Sequence, residues 1–190
     1  DAAMNIPNKL TIFRVLLIPV YMILYLTQGV AVKYAAICVF ILAALTDQLD
    51  GYLARKNNQI TTFGKLMDPL ADKMLIMAAL ICFVQKDVKY VNAAVVMIIL
   101  ARELMVTGIR MIAMGDNKVI AASIWGKSKT VSQFVLTIGV MVFDIARTYI
   151  PQYSGIMDTA TLVFVIVAVI LTIFSGIDYC CKNWHLLKFK

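Results

Sequence analysis

The chain has 190 residues, of which 62% are hydrophobic and 15% charged, and its mean hydropathy is +0.85. That is too apolar for an ordinary soluble domain and sufficient for five or six membrane spans of about 20 residues each, so we read a single integral membrane domain. The formal charge of +7 does not point to nucleic acid, because the basic residues are scattered near span ends rather than massed in a tail or stripe; anionic lipid headgroups and phosphorylated substrates are the expected partners.

Asp1-Ala2-Ala3 ahead of Met4 resembles an expression remnant, which leaves 4–190 as the domain. No cleavable signal peptide is expected from Met4 onward, so the first apolar segment stays as a span. Asn5 to Arg14 reads as a short amphipathic helix on the membrane surface, opened by Pro7 and Asn8, with Leu10, Ile12 and Phe13 apolar and Lys9 and Arg14 basic. Capping by Asn8 and snorkelling by Lys9 and Arg14 would suffice to explain these residues. The expected spans are Val15–Thr27, extended by the residues before it, Tyr34–Leu53, Pro69–Val84, Val91–Met114, Thr130–Tyr149 and Thr159–Tyr179, an all-α protein of six transmembrane helices with both termini on one side.

Between the second and third spans lies D-x-x-D-G-x-x-A-R, eight residues, then G-x-x-x-D-x-x-x-D. Asp47 and Asp50 are three apart at the end of one helix, and Asp68 and Asp72 four apart at the start of the next, so each pair leaves one helix face. A polar turn (Lys56, Asn57, Asn58, Gln59) would aim the two pairs at one another. Four carboxylates in so apolar a chain must be paired, hydrated or metal-bound, and an oxygen-only cluster without Cys or His suits Mg2+ or Mn2+. Gly51 and Gly64 permit close approach and Arg55 offers a phosphate-binding fork, which together describe phosphoryl chemistry. Salt bridges from the acids to Arg55, Lys65 and Lys73 would be the plain alternative. A divalent-cation transporter would instead place acids near mid-span in broken helices.

The segment resembles the signature of the CDP-alcohol phosphotransferases, complete here as Asp47, Asp50, Gly51, Ala54, Arg55, Gly64, Asp68 and Asp72. The resemblance implies a six-helix membrane enzyme, a homodimer, that transfers a phosphatidyl group from CDP-diacylglycerol to an alcohol and releases CMP. It also implies two metal ions on Asp47, Asp50, Asp68 and Asp72, with Asp72 as general base or as ligand only, and Gly51, Ala54, Arg55 and Gly64, with Asp50, as the cytidylyl and phosphate cradle. The opening P-N-K-L-T-I-F-R resembles that of the phosphatidylglycerophosphate synthase branch, in which Asn8 and Thr11 would face the nucleotide or its metal and Arg14 a phosphate.

The fourth span carries Arg102, Glu103 and Arg110 among apolar residues. Arg102 and Glu103 point about a quarter-turn apart, which leaves each to find a partner on another helix or at the acidic centre, as a structural pair or a functional one. Lys127, Lys129 and the donors of a helix N-terminus make an anion site, although basic residues also collect at cytoplasmic span ends for topology alone. The run A-R-E…R…G-K-x-K-T again resembles the same branch, which implies that Arg110 and Lys127, with Arg14 and Lys129, grip the phosphate of sn-glycerol 3-phosphate. Inositol phosphate or phosphatidylglycerol as acceptor stays open.

Asp144 and Arg147 read as a local pair, and the loop Thr148 to Asp158 as carrying little chemistry. Ser175, Gly176 and Asp178 would pack helices closely or line a pocket. His185 beside Trp184 reads as an interfacial anchor, and the four cysteines as small hydrophobes. Lys9, Arg14, Arg55, Lys56, Lys65, Lys73, Arg110, Lys118, Lys127, Lys129, Lys182, Lys188 and Lys190 fall on one side, against Lys33, Lys86, Lys89 and Arg147 on the other. The first side, holding both termini and the acidic centre, is therefore expected to be cytoplasmic, in a bacterial cell membrane.

Overall fold

The computed structural model describes the backbone of residues 6–56, 62–115 and 124–183, and within these the side chains from residue 9 onward apart from 47–56, 62–70, 72, 112, 114 and 115. Every regular element among the described residues is helical: α1 (Ile6–Leu26), α2 (Val30–Lys56), α3 (Thr62–Gln85), α4 (Ala93–Gly115), α5 (Ile124–Tyr149) and α6 (Ser154–Lys182), with one turn of 3-10 helix at Pro151–Tyr153. Among them, Lys9–Leu26, Ile124–Tyr149 and Pro151–Lys182 are long and apolar enough to cross a membrane, while Val30–Thr46 and Lys73–Gln85 are shorter apolar stretches. Large apolar side chains stand exposed along the helices, including Leu16, Ile23, Leu104, Ile156 and Phe174, as lipid-facing surfaces require.

Two helices differ from the sequence expectation. The amphipathic opening is not a separate helix, since α1 runs unbroken from Ile6 to Leu26; no glycine lies between the surface segment and the span, and the chain stays helical even at Pro19. Pro69 does not start a helix either. α3 begins at Thr62, two turns earlier, so Pro69 lies inside it and the carbonyl of Lys65 lacks its usual donor. Polar residues extend the hydrogen-bond ladder past the apolar stretch, which hydropathy cannot see. The expected turn at residues 57–59 lies outside the described residues.

The chain forms two compact units, Asp1–Cys82 and Phe83–Lys190. In the first, α1 and α2 make an antiparallel hairpin closed at Gly29, whose φ of +122° only glycine adopts readily. Thr27 caps the end of α1, its N–H and hydroxyl both donating to the Ile23 carbonyl. Tyr21 packs on Phe40 with ring centroids 5.4 Å apart and on Tyr25 at 5.8 Å, while Ala36 and Ala43 let the backbones approach. α3 buries Ala71, Leu75, Ala78, Ala79 and Cys82, a stripe at helical spacing rich in small residues.

In the second unit, Asn92 caps α4 by accepting from the Val95 N–H at 3.1 Å. α5 and α6 are antiparallel neighbours joined at Pro151, and α4 packs on α6 in the same direction. A Cβ on Gly139 would stand 2.7 Å from the Phe164 ring, so glycine is what admits that ring, which stacks on Phe143. Mid-helix, Gln133 donates across to the Thr172 hydroxyl at 3.2 Å, a polar tie between spans.

At the far end of α5 the expected Asp144–Arg147 pair is replaced by other partners. Arg147 reaches Asp158 at 2.5 Å, Lys89 donates to the same carboxylate at 3.0 Å, and Asp144 lies 3.8 Å from Lys86. Asp144 and Arg147 sit on one helix, but the adjoining helix and loop supply counter-charges better placed than the residue three positions on. The hydrogen bond to Asp158 raises the Lys89 ammonium above the ordinary lysine value. Asp158, which the sequence placed at the end of a loop with little chemistry, lies in the second turn of α6 and takes both cations.

Candidate active site

The backbone places the signature on two helices of the first unit: Asp47, Asp50, Gly51, Ala54 and Arg55 in the last turns of α2, and Gly64, Asp68 and Asp72 in the first three turns of α3. Each acid pair thus keeps the three- or four-residue spacing that puts both members on one helix face. Their side chains, and the expected approach of one pair to the other, lie outside the described residues. The chemistry of the set fits a hard divalent cation, being four carboxylates on two helices with no histidine or cysteine in the signature.

α1 is brought to the signature by described contacts. Arg14 is fully buried, and its Nε–H donates to the Thr46 hydroxyl at 3.5 Å; Thr46, immediately before Asp47, in turn donates to the Ala43 carbonyl at 2.7 Å. The Tyr21–Phe40 and Arg14–Thr46 pairs set the antiparallel register of the hairpin, which carried onward puts Thr11 and Asn8 level with the Asp50–Gly51 turn of α2. Thr11 is buried there at 1% exposure. Sequence reasoning missed Thr46, although a hydroxyl residue directly before the first acid was the available signal.

The basic residues assigned to the acceptor fall into two groups. Arg14 belongs to the first unit; Arg110, Lys127 and Lys129 belong to the second. Arg110 is exposed near the end of α4, donates from Nε to the Tyr179 hydroxyl at 3.3 Å and lies over that ring at 5.6 Å. Lys127 is exposed in the first turn of α5, at the rim of an apolar groove of about 570 Å³ between α5 and α6.

Lys129 differs from its neighbour. It is 4% exposed and its ammonium is ion-paired to Glu103, which also takes Arg102 Nη1 at 3.2 Å. Arg102 Nη2 donates to Ser175 on α6, and a Cβ on Gly176 would stand 3.2 Å from Arg102 Cγ. Arg102 and Glu103 therefore find partners on α6 and α5 and also meet each other. The network is a buried tie among three helices, and it engages the Lys129 charge before any ligand arrives. Tyr179, read from the sequence only as the end of a span, is the residue missed here.

The chain belongs to the CDP-alcohol phosphatidyltransferase family, whose model matches residues 4–177. Members of this family generally depend on a divalent metal. Three bacterial relatives carry the name CDP-diacylglycerol–glycerol-3-phosphate 3-phosphatidyltransferase. That of Bacillus subtilis (strain 168) is 39% identical over 196 residues, covering 97% of each chain. The Haemophilus influenzae protein is 37% identical over 177 residues, covering 92% of this chain and 91% of its own. The Rickettsia typhi protein is 37% identical over 185 residues, covering 95% and 98%.

Proposed function

We propose that the chain transfers the phosphatidyl group of CDP-diacylglycerol to sn-glycerol 3-phosphate, giving phosphatidylglycerophosphate and CMP. The observation that carries this reading is a complete two-helix signature in a chain that matches, over nearly its whole length, relatives named for that reaction. A hydroxyl of glycerol 3-phosphate attacks the phosphatidyl phosphorus, the bond to the cytidylyl phosphate breaks, and the hydroxyl proton passes to the Asp72 carboxylate as CMP leaves. Asp47, Asp50, Asp68 and Asp72 would hold two divalent cations, Mg2+ or Mn2+, which when bound neutralise the pyrophosphate charge. Asn8, Thr11, Asp50, Gly51, Ala54, Arg55 and Gly64 cradle the liponucleotide head.

Arg110 and Lys127 hold the acceptor phosphate, being exposed cations, and buried Arg14 acts through the signature turn next to Thr46. Lys129 contributes chiefly by fixing Glu103. The site and both termini face the cytoplasm of a bacterial cell, the side on which the basic residues collect, and the chain works as a homodimer. CMP release by the protein in detergent with CDP-diacylglycerol and Mg2+ tests the reading, with glycerol 3-phosphate, inositol 1-phosphate, serine and phosphatidylglycerol offered separately. Release with glycerol 3-phosphate alone is expected. Release only with another acceptor would refute the assignment of Arg110 and Lys127 while keeping the signature's role.

A further inference from the structure

Arg110 is exposed, yet two contacts with one tyrosine restrain its guanidinium. Nε–H donates to the Tyr179 hydroxyl at 3.3 Å, and the guanidinium carbon lies 5.6 Å from the centroid of the same ring. Tyr179 is itself held firmly: it is 3% exposed, it packs with Val106 and Ile109 of α4, and its carbonyl accepts from the Asn183 side chain at 2.8 Å. A guanidinium has five N–H donors in a rigid fork. Tyr179 engages the Nε–H, the donor nearest the stem. Among the described residues no acceptor meets the four N–H groups at the tip. Two parallel N–H groups at a guanidinium tip match two oxygens of a phosphate.

We infer that Tyr179 is a positioning residue for the acceptor phosphate, orienting Arg110 from below so that its fork is set for the phosphate before the ligand arrives. The inference rests on the reading above, that Arg110 meets the phosphate of glycerol 3-phosphate. Restraining the arginine during folding removes a rotamer-ordering cost from binding, so the contribution should appear in acceptor affinity rather than in the chemical step.

The test uses the full chain in detergent as wild type, Tyr179→Phe, Arg110→Ala and the double variant. CMP release is followed against glycerol 3-phosphate at saturating CDP-diacylglycerol, and binding of glycerol 3-phosphate is measured by calorimetry. Tyr179→Phe keeps the ring and removes the acceptor of a charged donor. It is expected to raise the acceptor KM and Kd by about tenfold while kcat, the KM for CDP-diacylglycerol and the thermal midpoint stay near wild type. In the Arg110→Ala background the same change should have no further effect. An unchanged acceptor KM, an equal effect without Arg110, or a joint loss of kcat and thermal midpoint would each overturn the inference. Wild-type protein that binds glycerol 3-phosphate but releases no CMP would refute the proposed reaction instead, and the calorimetric affinities would then decide the role of Tyr179. Wild-type protein that neither binds nor reacts would overturn both.

Discussion

Lys127 and Lys129 are two residues apart and look alike in the sequence, yet they occupy different environments. Lys127 is exposed and Lys129 is buried on Glu103. Lys127→Ala is therefore expected to raise the KM for glycerol 3-phosphate while leaving the thermal midpoint near wild type, and Lys129→Ala to lower the midpoint. Equal behaviour of the two variants in thermal unfolding would contradict the buried ion pair. Glu103→Ala should be more damaging still, because it leaves two buried cations without their shared carboxylate, at a cost of about 3 kcal/mol or more. At the signature, Asp68→Asn removes one negative oxygen and is expected to cut CMP release by at least about a hundredfold, on the scale of losing one preorganised electrostatic contact. Full activity of that variant at limiting Mg2+ would end its assignment as a metal ligand. The placement of the acids on two successive helices was legible because their spacing is local. The fate of Lys129 was not, since its partner lies 26 residues away on another helix.

Helix packing supplies the next layer. α4 and α6 come together at Gly176, where a Cβ would already press on Arg102, so Gly176→Leu should force α6 away and loosen the Arg102–Ser175 contact. A destabilisation of about 2 kcal/mol is expected, read as a lower thermal midpoint, with Gly155→Ala as a control because nothing stands within 4 Å of a Cβ there. Helix existence was legible from apolar runs, whereas helix ends were not. α3 begins at Thr62 rather than at Pro69, and α2 extends to Lys56, because backbone hydrogen bonding continues through polar residues once a helix is under way. The partners of Arg147 were equally hidden. A separation of three residues suggested Asp144, but the turn at Pro151 brings Asp158 back alongside.

Across the whole molecule, the two ends of α5 carry different charge systems, Lys127 and Lys129 at one and Arg147 at the other, about 27 Å apart along an α-helix. If the first end is cytoplasmic, a cysteine introduced at Lys127 should react with an impermeant thiol reagent only in inside-out vesicles, and one at Lys89 only in right-side-out vesicles; the reverse pattern would invert the proposed orientation. Chelation of divalent ions should abolish CMP release, and added Mg2+ or Mn2+ should restore it; activity persisting in excess chelator would refute the metal requirement. α1 bears on how the host bilayer is felt. Ile6–Leu26 is one continuous helix of about 32 Å, with Pro19 inside it. A membrane thinner than this helix can be met by tilting it, and a tilt moves Arg14, which is hydrogen-bonded to Thr46 at the turn that starts the signature. The thickness of the lipid around α1 would in this way be felt at the turn of α2 from which Asp47 follows.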